Sequence, residues 1–382
     1  MGKVFSDLDH KIKVLGSAAR FDLCGACGGE ESRRRNPQGG WIYPVSLPGS
    51  GKRVNILKIL LSNNCMHNCF YCANRGGRDH LITSFSAEEL SNLFWYLYQK
   101  GMVRGIFLSS AVDKSPSWTM SEMLKVAEIL RYRFHFSGYL HLKILPDVSN
   151  DYLEEAIKLA TRVSVNLEAP NPQSLCEIAP QKNFSRIWQK FQWFRSQKEK
   201  GFSTPAGITT QLVVGGSRET DREIMQTSSQ LYRQFGLARV YYSAFQPVAD
   251  TPLSYKPPVS TWREHRLYQA DFLLRQYKFS FEELIFDEQG NFPLSLDPKT
   301  LWANNHPEFF PVEVNTAPWE VLIRVPGIGV TSARRIMKLR REITFRDSEA
   351  LSKLGVRVER ALPFILMDGK KLKRVEQLSL FT

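Results

Sequence analysis

The chain has 382 residues, 43 % of them hydrophobic and 23 % charged, with six cysteines and a formal net charge of +13. That length can bury a large core and allows two or three domains, and the composition is that of a soluble globular protein, not a low-complexity array. No apolar run approaches the ~20 residues a membrane helix needs, so no membrane partner is expected.

The first twenty residues, "MGKVFSDLDHKIKVLGSAAR", carry charges every few positions, and no signal peptide is expected there. Six cysteines, three of them in one short loop, point to metal or redox chemistry in a reducing compartment, the cytoplasm. The positive charge suits polyanionic partners. It is concentrated toward the C-terminus: residues 314–382 hold fourteen Lys or Arg against seven Asp or Glu.

Residues 1–53 read as an N-terminal extension with a basic, Gly-rich loop around Cys24 and Cys27, "CGACGGEESRRR". From 54 to 247, short apolar runs alternate with amphipathic stretches. Strands are predicted over 55–62, 103–110, 138–145, 162–170, 207–216 and 239–247. Helices are predicted over 86–100, 119–134, 149–160, 183–200 and 220–235, the first opened by Ser86 with Glu89 three residues on. Near-continuous apolar strands separated by helices imply a parallel sheet covered on its outer face. Six such units without a G-x-G-x-x-G turn imply an incomplete, TIM-like (β/α)6 barrel, in which chemistry sits at the C-terminal ends of the strands. "QPVADTPLSYKPPVS" (246–260) reads as a linker, 248–313 as a helical connector and 314–382 as a small all-α unit.

Just after the first barrel strand, "NNCMHNCFYCANR" sets Cys65, Cys69 and Cys72 in a C-x3-C-x2-C run. Closed structural metal sites take four ligands, and catalytic ones keep a position open. Three thiolates can hold three irons of a [4Fe–4S] cube and leave the fourth free for a small ligand. A zinc cage of Cys24, Cys27, Cys69 and Cys72 is the competing reading, but its spacer is long for a zinc ribbon and it strands Cys65.

Cys65-x3-Cys69-x-Tyr71-Cys72 after a first strand resembles the signature of the radical S-adenosylmethionine (SAM) superfamily. The resemblance implies a [4Fe–4S] cluster on the three cysteines, SAM on the open iron, a 5′-deoxyadenosyl radical as the reagent, and a reductant such as flavodoxin or ferredoxin. It also implies that Tyr71 and polar strand ends meet the cofactor: Ser109 and Ser110 at SAM's amino end, and Asn166, Glu168 and Gln211 at its ribose and carboxylate. Lys143 and Ser243 end two further strands; Lys143 is a candidate for a substrate phosphate, and His141 lies deeper and reads as structural. Cys176 reads as a buried, unreactive thiol, with hydrogen-atom donation as its alternative.

In "LIRVPGIGVTSARRIMKLR" (322–340), Gly327 and Gly329 are placed to adopt positive φ and turn backbone N–H groups toward an anion at the next helix N-terminus. Thr331, Arg334, Arg335 and Lys338 surround that turn. The stretch resembles the helix-hairpin-helix DNA-binding motif, with 345–365 a degenerate second copy. Such contacts grip phosphates without reading bases.

The order of parts resembles the DNA modification or repair subfamily of radical SAM proteins, with "LDHKIKVLGSAARFD", "LKILLSNNC", "RVYYSAFQPV" and "HPEFFPVEVNTA" among the supporting stretches. That subfamily is linked to a uracil-DNA-glycosylase-like partner. The expected activity is radical modification or repair of a base or sugar in nucleic acid, DNA before RNA. The alternative outside enzymes is an iron–sulfur DNA-binding protein without catalysis.

Overall fold

The computed structural model describes residues 2–19, 41–46 and 53–371. Cys24 and Cys27 lie outside the described residues, so the zinc alternative that needs them is not addressed. The chain divides into two units, Met1–Glu264 and His265–Thr382.

The first unit is built on one sheet of seven strands in chain order. Strands β2 (Arg53–Leu60), β3 (Gly105–Ser109), β4 (Tyr139–Lys143), β5 (Arg162–Ser164), β6 (Ile208–Val214) and β7 (Arg239–Ala244) pair in parallel, each with the next. This is the expected six-stranded partial barrel. One strand is additional: β1 (Ile42–Ser46) pairs antiparallel with β2, Ile42 opposite Leu57 and Val45 opposite Val54. It carries Pro44, which cannot donate to a ladder and is tolerated because β1 is an edge strand.

Helices α1 (Gly2–Ala18), α2 (Ala87–Gln99), α3 (Pro116–Glu128), α4 (Asn150–Leu159), α5 (Pro172–Ile178), α6 (Phe184–Glu199) and α7 (Asp221–Phe235) accompany the sheet. Their starts follow from local chemistry. Ser86 accepts from the Glu89 N–H while the Glu89 carboxylate reaches back to Ser86, a capping box, and Thr220 with Glu223 repeats it for α7. Asn171 and Asn183 cap α5 and α6 in the same way, each such cap stabilising its helix by about 1 kcal/mol. Gly236 closes α7 in the left-handed region. All seven residues of β6 are buried, as a strand covered on both faces requires.

The predicted strand 162–170 is regular only to Ser164. Beyond it the chain still runs beside β6, with the Glu168 N–H bonded to the Gln211 carbonyl (2.9 Å) and the Val213 N–H to the Glu168 carbonyl (2.8 Å). Glu168 itself is in the left-handed region (φ 67°), and that ends the strand.

The Pro-rich segment read as a linker packs onto the first unit: the Val259 N–H bonds to the Phe245 carbonyl (2.9 Å) and the Leu253 N–H to the Phe70 carbonyl (3.4 Å). The division between units falls inside α8 (Thr261–Gln276), not at 247 or 313.

In the second unit, α9 (Pro298–Asn305) is followed by α10 (Trp319–Leu322), α11 (Val330–Leu339), α12 (Ser348–Lys353) and α13 (Val358–Ala361), and the last four gather on a core that includes Leu322, Val325, Ile328, Ala333, Ile336, Phe345, Leu351 and Ala361. The unit is helical apart from a parallel pair of two-residue strands, β8 (Val312–Glu313) and β9 (Ile365–Leu366), which the all-α expectation did not include.

Candidate active site

The cysteine loop leaves β2 at the C-terminal edge of the sheet and is held by backbone bonds to distant chain. The Leu61 N–H meets the Ser109 carbonyl, Met66 that of Val112, and Phe70 that of Ile178, each at 2.8 Å. The Asn68 N–H is bonded to Gln181 Oε1 at 2.6 Å. Gly76 lies so close to the Cys65 carbonyl that a Cβ would sit 2.7 Å from it, so only glycine lets the loop fold back there.

A cavity of about 430 Å³ opens above this loop. Cys65, Cys69, Cys72, Tyr71, Ser109, Ser110, Asn166, Glu168 and Gln211, all nine residues singled out from the barrel sequence, line it. Lys143 and Ser243 do so as well, while His141 lies below. His141 is fully buried, bonded through Nε2 to Ser164 Oγ at 3.0 Å, and burial with Arg162 and Lys143 nearby holds its pKa well below the ordinary value. It is a neutral packing group. Cys176, expected to be buried, is instead an exposed thiol on α5 and does not line the cavity.

The three loop cysteines are free thiols. Burial pushes the Cys72 thiol up to about 12 and raises that of Cys69. Without a metal, Cys69 and Cys72 are therefore protonated near neutral pH, and a metal would have to displace their protons. Among the described residues no three His, Cys, Asp or Glu side chains close on a single ion. The thiols instead share one cavity wall, as a cluster whose irons stand apart requires. The donor chemistry fits: three sulfurs, a backbone N–H from Asn74 to Cys72 Sγ (3.4 Å), and a cation, Lys182, whose field favours thiolate at both Cys69 and Cys72.

Lys182 was not singled out from sequence, since nothing in "APQKN" marks it. It lines the cavity, with Nζ 2.7 Å from Glu168 Oε1. Burial works against its charge, but Glu168 and the two thiols outweigh that and hold it above the ordinary lysine range. The Glu168 carboxylate, expected to face a ribose, is thus already engaged by Lys182, and burial, then the Glu168 charge, raises the pKa of the Tyr71 hydroxyl. Two further residues were missed. His67 stands 3.7 Å from Asp147, its pKa lowered by burial and by Lys182. Glu264 reaches the cavity from α8 and accepts the Ala244 N–H at 3.0 Å. Glu264 lies just past the stretch read as a linker, which hid it. Asn166 and Ser243 have no side-chain hydrogen-bond partner among the described residues and remain open to a ligand.

In the second unit, Gly327 has φ 84° and packs edge-on against the start of α13, while Thr331, Arg334, Arg335 and Lys338 are all exposed along α11. Gly329 corrects the sequence reading. It is the N-cap of α11 in extended backbone (φ −88°, ψ 165°), because a residue at that position must lead into the helix. Across 345–365, read as a degenerate second copy, the chain forms α12, a turn at Gly355 (φ 84°) and α13, with Val356 buried as Ile328 is.

Residues 59–231 match the family model of the radical SAM superfamily, and residues 309–355 that of the helix-hairpin-helix motif. The barrel is thus a radical SAM domain, the domain of enzymes that use a [4Fe–4S] cluster and SAM, and a helix-hairpin-helix motif follows it. Similar solved structures include the FeFe-hydrogenase maturase HydG from Carboxydothermus hydrogenoformans (17 % identity, 56 % of this chain and 50 % of that chain, TM-score 0.45). Others are methylornithine synthase, PylB (13 %, 56 % and 60 %, 0.46), and coproporphyrinogen III oxidase, HemN, from Escherichia coli (12 %, 55 % and 50 %, 0.37). The alignments span between half and three-fifths of those chains. No curated protein sequence matches this chain. Among the described residues no helix is long and apolar enough to cross a membrane.

Proposed function

We propose that this chain is a radical SAM enzyme that modifies or repairs a base or sugar of nucleic acid, DNA in preference to RNA. One observation carries the reading: three thiols of a single loop and the polar ends of five strands ring one cavity, in a chain that also presents a basic helix-hairpin-helix. When bound, the cluster and SAM supply one-electron cleavage of the sulfonium and a 5′-deoxyadenosyl radical able to take a hydrogen atom from a C–H bond.

Cys65, Cys69 and Cys72 would hold the cluster. Asn166, Ser243, Ser109, Ser110 and Gln211 are placed to bind SAM's polar groups, and Leu145, Val213 and Phe245 give the cavity the apolar wall that keeps water from a radical. A base would have to leave its stack to reach this cavity, as enzymes that act on bases require. Gly327, Gly329, Thr331, Arg334, Arg335 and Lys338 would hold the backbone without regard to sequence. A cytoplasmic location, a flavodoxin or ferredoxin as reductant and a uracil-DNA-glycosylase-like partner complete the reading.

The test is anaerobic reconstitution with iron and sulfide, then dithionite and SAM with DNA or RNA, followed by mass spectrometry of the digested nucleosides. We expect 5′-deoxyadenosine and an altered nucleoside from DNA. An intact cluster that releases no 5′-deoxyadenosine refutes the catalytic reading; an altered nucleoside from RNA alone moves the substrate.

A further inference from the structure

Glu168 concentrates two unfavourable features in one residue. Its backbone occupies the left-handed region, which costs a non-glycine residue roughly 1–3 kcal/mol. Its carboxylate is buried, 4 % exposed, and paired with an ammonium that is 11 % exposed. Removing two such charges from water costs several kcal/mol per ion, which their attraction offsets only in good geometry, so stability alone is a weak reason to build the pair here.

Three separate segments meet at this carboxylate. Lys182 comes from the turn between α5 and α6, and Tyr71 from between two of the cluster cysteines, while Glu168 ends the β5 segment. The turn that carries Lys182 also ties the cysteine loop through the Ile178 carbonyl and the Gln181 side chain. Lys182 and Glu168 line the same cavity as Cys65, Cys69 and Cys72, so both charges face the place where those thiols would hold a cluster.

We infer that Lys182 and Glu168 are positioning residues that set the reduction potential of the cluster held by Cys65, Cys69 and Cys72. The inference rests on the cluster reading given under Proposed function. Reduction adds one electron, supplied in the test by dithionite through mediators, and so one negative charge beside the pair. A lone ammonium there stabilises the reduced form, and a lone carboxylate destabilises it. The pair holds the two in balance.

The experiment is a mediated potentiometric titration of the reconstituted chain, followed by electron paramagnetic resonance, without turnover. Glu168→Gln leaves Lys182 alone and should raise the potential by at least a tenfold change in the reduction equilibrium, about 59 mV for one electron. Lys182→Met leaves the Glu168 carboxylate alone and should lower it by a similar amount. Lys182→Arg keeps the charge and should stay near the parent. A merely structural role would loosen the cluster in both charge-changing variants without shifts of opposite sign. Should Lys182→Met fail to hold the cluster, Glu168→Gln and Lys182→Arg still decide. Potentials equal to the parent in Glu168→Gln, with full cluster absorbance, overturn the inference. Absence of any [4Fe–4S] signal in the parent chain instead overturns the reading on which it rests.

Discussion

Replacing Gly327 by alanine separates backbone strain from steric overlap within one unit. Gly327 has φ 84°, a conformation that costs an alanine about 1–2 kcal/mol. The added Cβ would also sit 2.4 Å from the Arg357 carbonyl oxygen and 3.1 Å from the Ala361 nitrogen, both backbone atoms. That backbone cannot simply back away, because the Arg357 N–H is bonded to the Gly327 carbonyl at 3.0 Å and Ala361 is fully buried in the core. An overlap of this kind in a packed site adds about 1–3 kcal/mol. The total is about 2–5 kcal/mol, a large share of what holds a small domain together.

Gly369 supplies the control. It has φ 71° and nothing within 4 Å of where a Cβ would go, so Gly369→Ala should cost only the conformational part, about 1–2 kcal/mol. The assay is urea unfolding of both variants and the parent, with DNA affinity measured in parallel. We expect Gly327→Ala to lose at least twice the stability of Gly369→Ala and to lose DNA binding. Equal losses in the two variants would mean that the close approach of the two hairpins contributes nothing, and the reasoning fails.

Three further outcomes are expected. Lys299 is buried, donates to the Ile328 carbonyl at 2.6 Å and lies 4.6 Å from the Tyr277 ring, and burial pulls its pKa from 10.5 to about 7, with Asp297 opposing and Arg360 assisting. The unfolded chain then binds the proton that the folded chain rejects, so stability rises by about 2 kcal/mol between pH 7 and pH 9. Lys299→Met should remove that slope in urea titrations, and an unchanged slope refutes the assignment. Replacing Arg334, Arg335 and Lys338 together by alanine should weaken binding to all sequences alike and reduce the slope of log K against log salt by about 2–3. A change confined to particular sequences would contradict backbone-only contact. Cys69→Ala should abolish the visible absorbance of the reconstituted cluster, and retained absorbance would move the ligand set elsewhere.

Much of the barrel was legible because parallel strands are marked by apolar runs, and helix starts by caps such as Ser86 and Thr220. The cavity wall followed from period two and the rule that strand ends carry the chemistry, which brought Ser109, Asn166 and Gln211 together. Lys182 escaped because its role depends on a turn folding over the cysteine loop, a contact between residues far apart in sequence. Glu168 was found, but its partner was not, so its carboxylate was expected to be free. β1 was missed because "IYPVS" is short and holds a proline, the residue that argues against strand until a sheet edge is known. Gly329 shows the limit of reading a Gly-x-Gly turn: one glycine needs the left-handed region, and the other only leads into a helix.

The backbone bonds that shape the cysteine loop come from Ser109, Val112 and Ile178, the last of them 108 residues along the chain from the Phe70 it holds. A chain cut short before α5 would lack the Ile178 and Gln181 contacts on the loop, and should hold a cluster less tightly than the full chain.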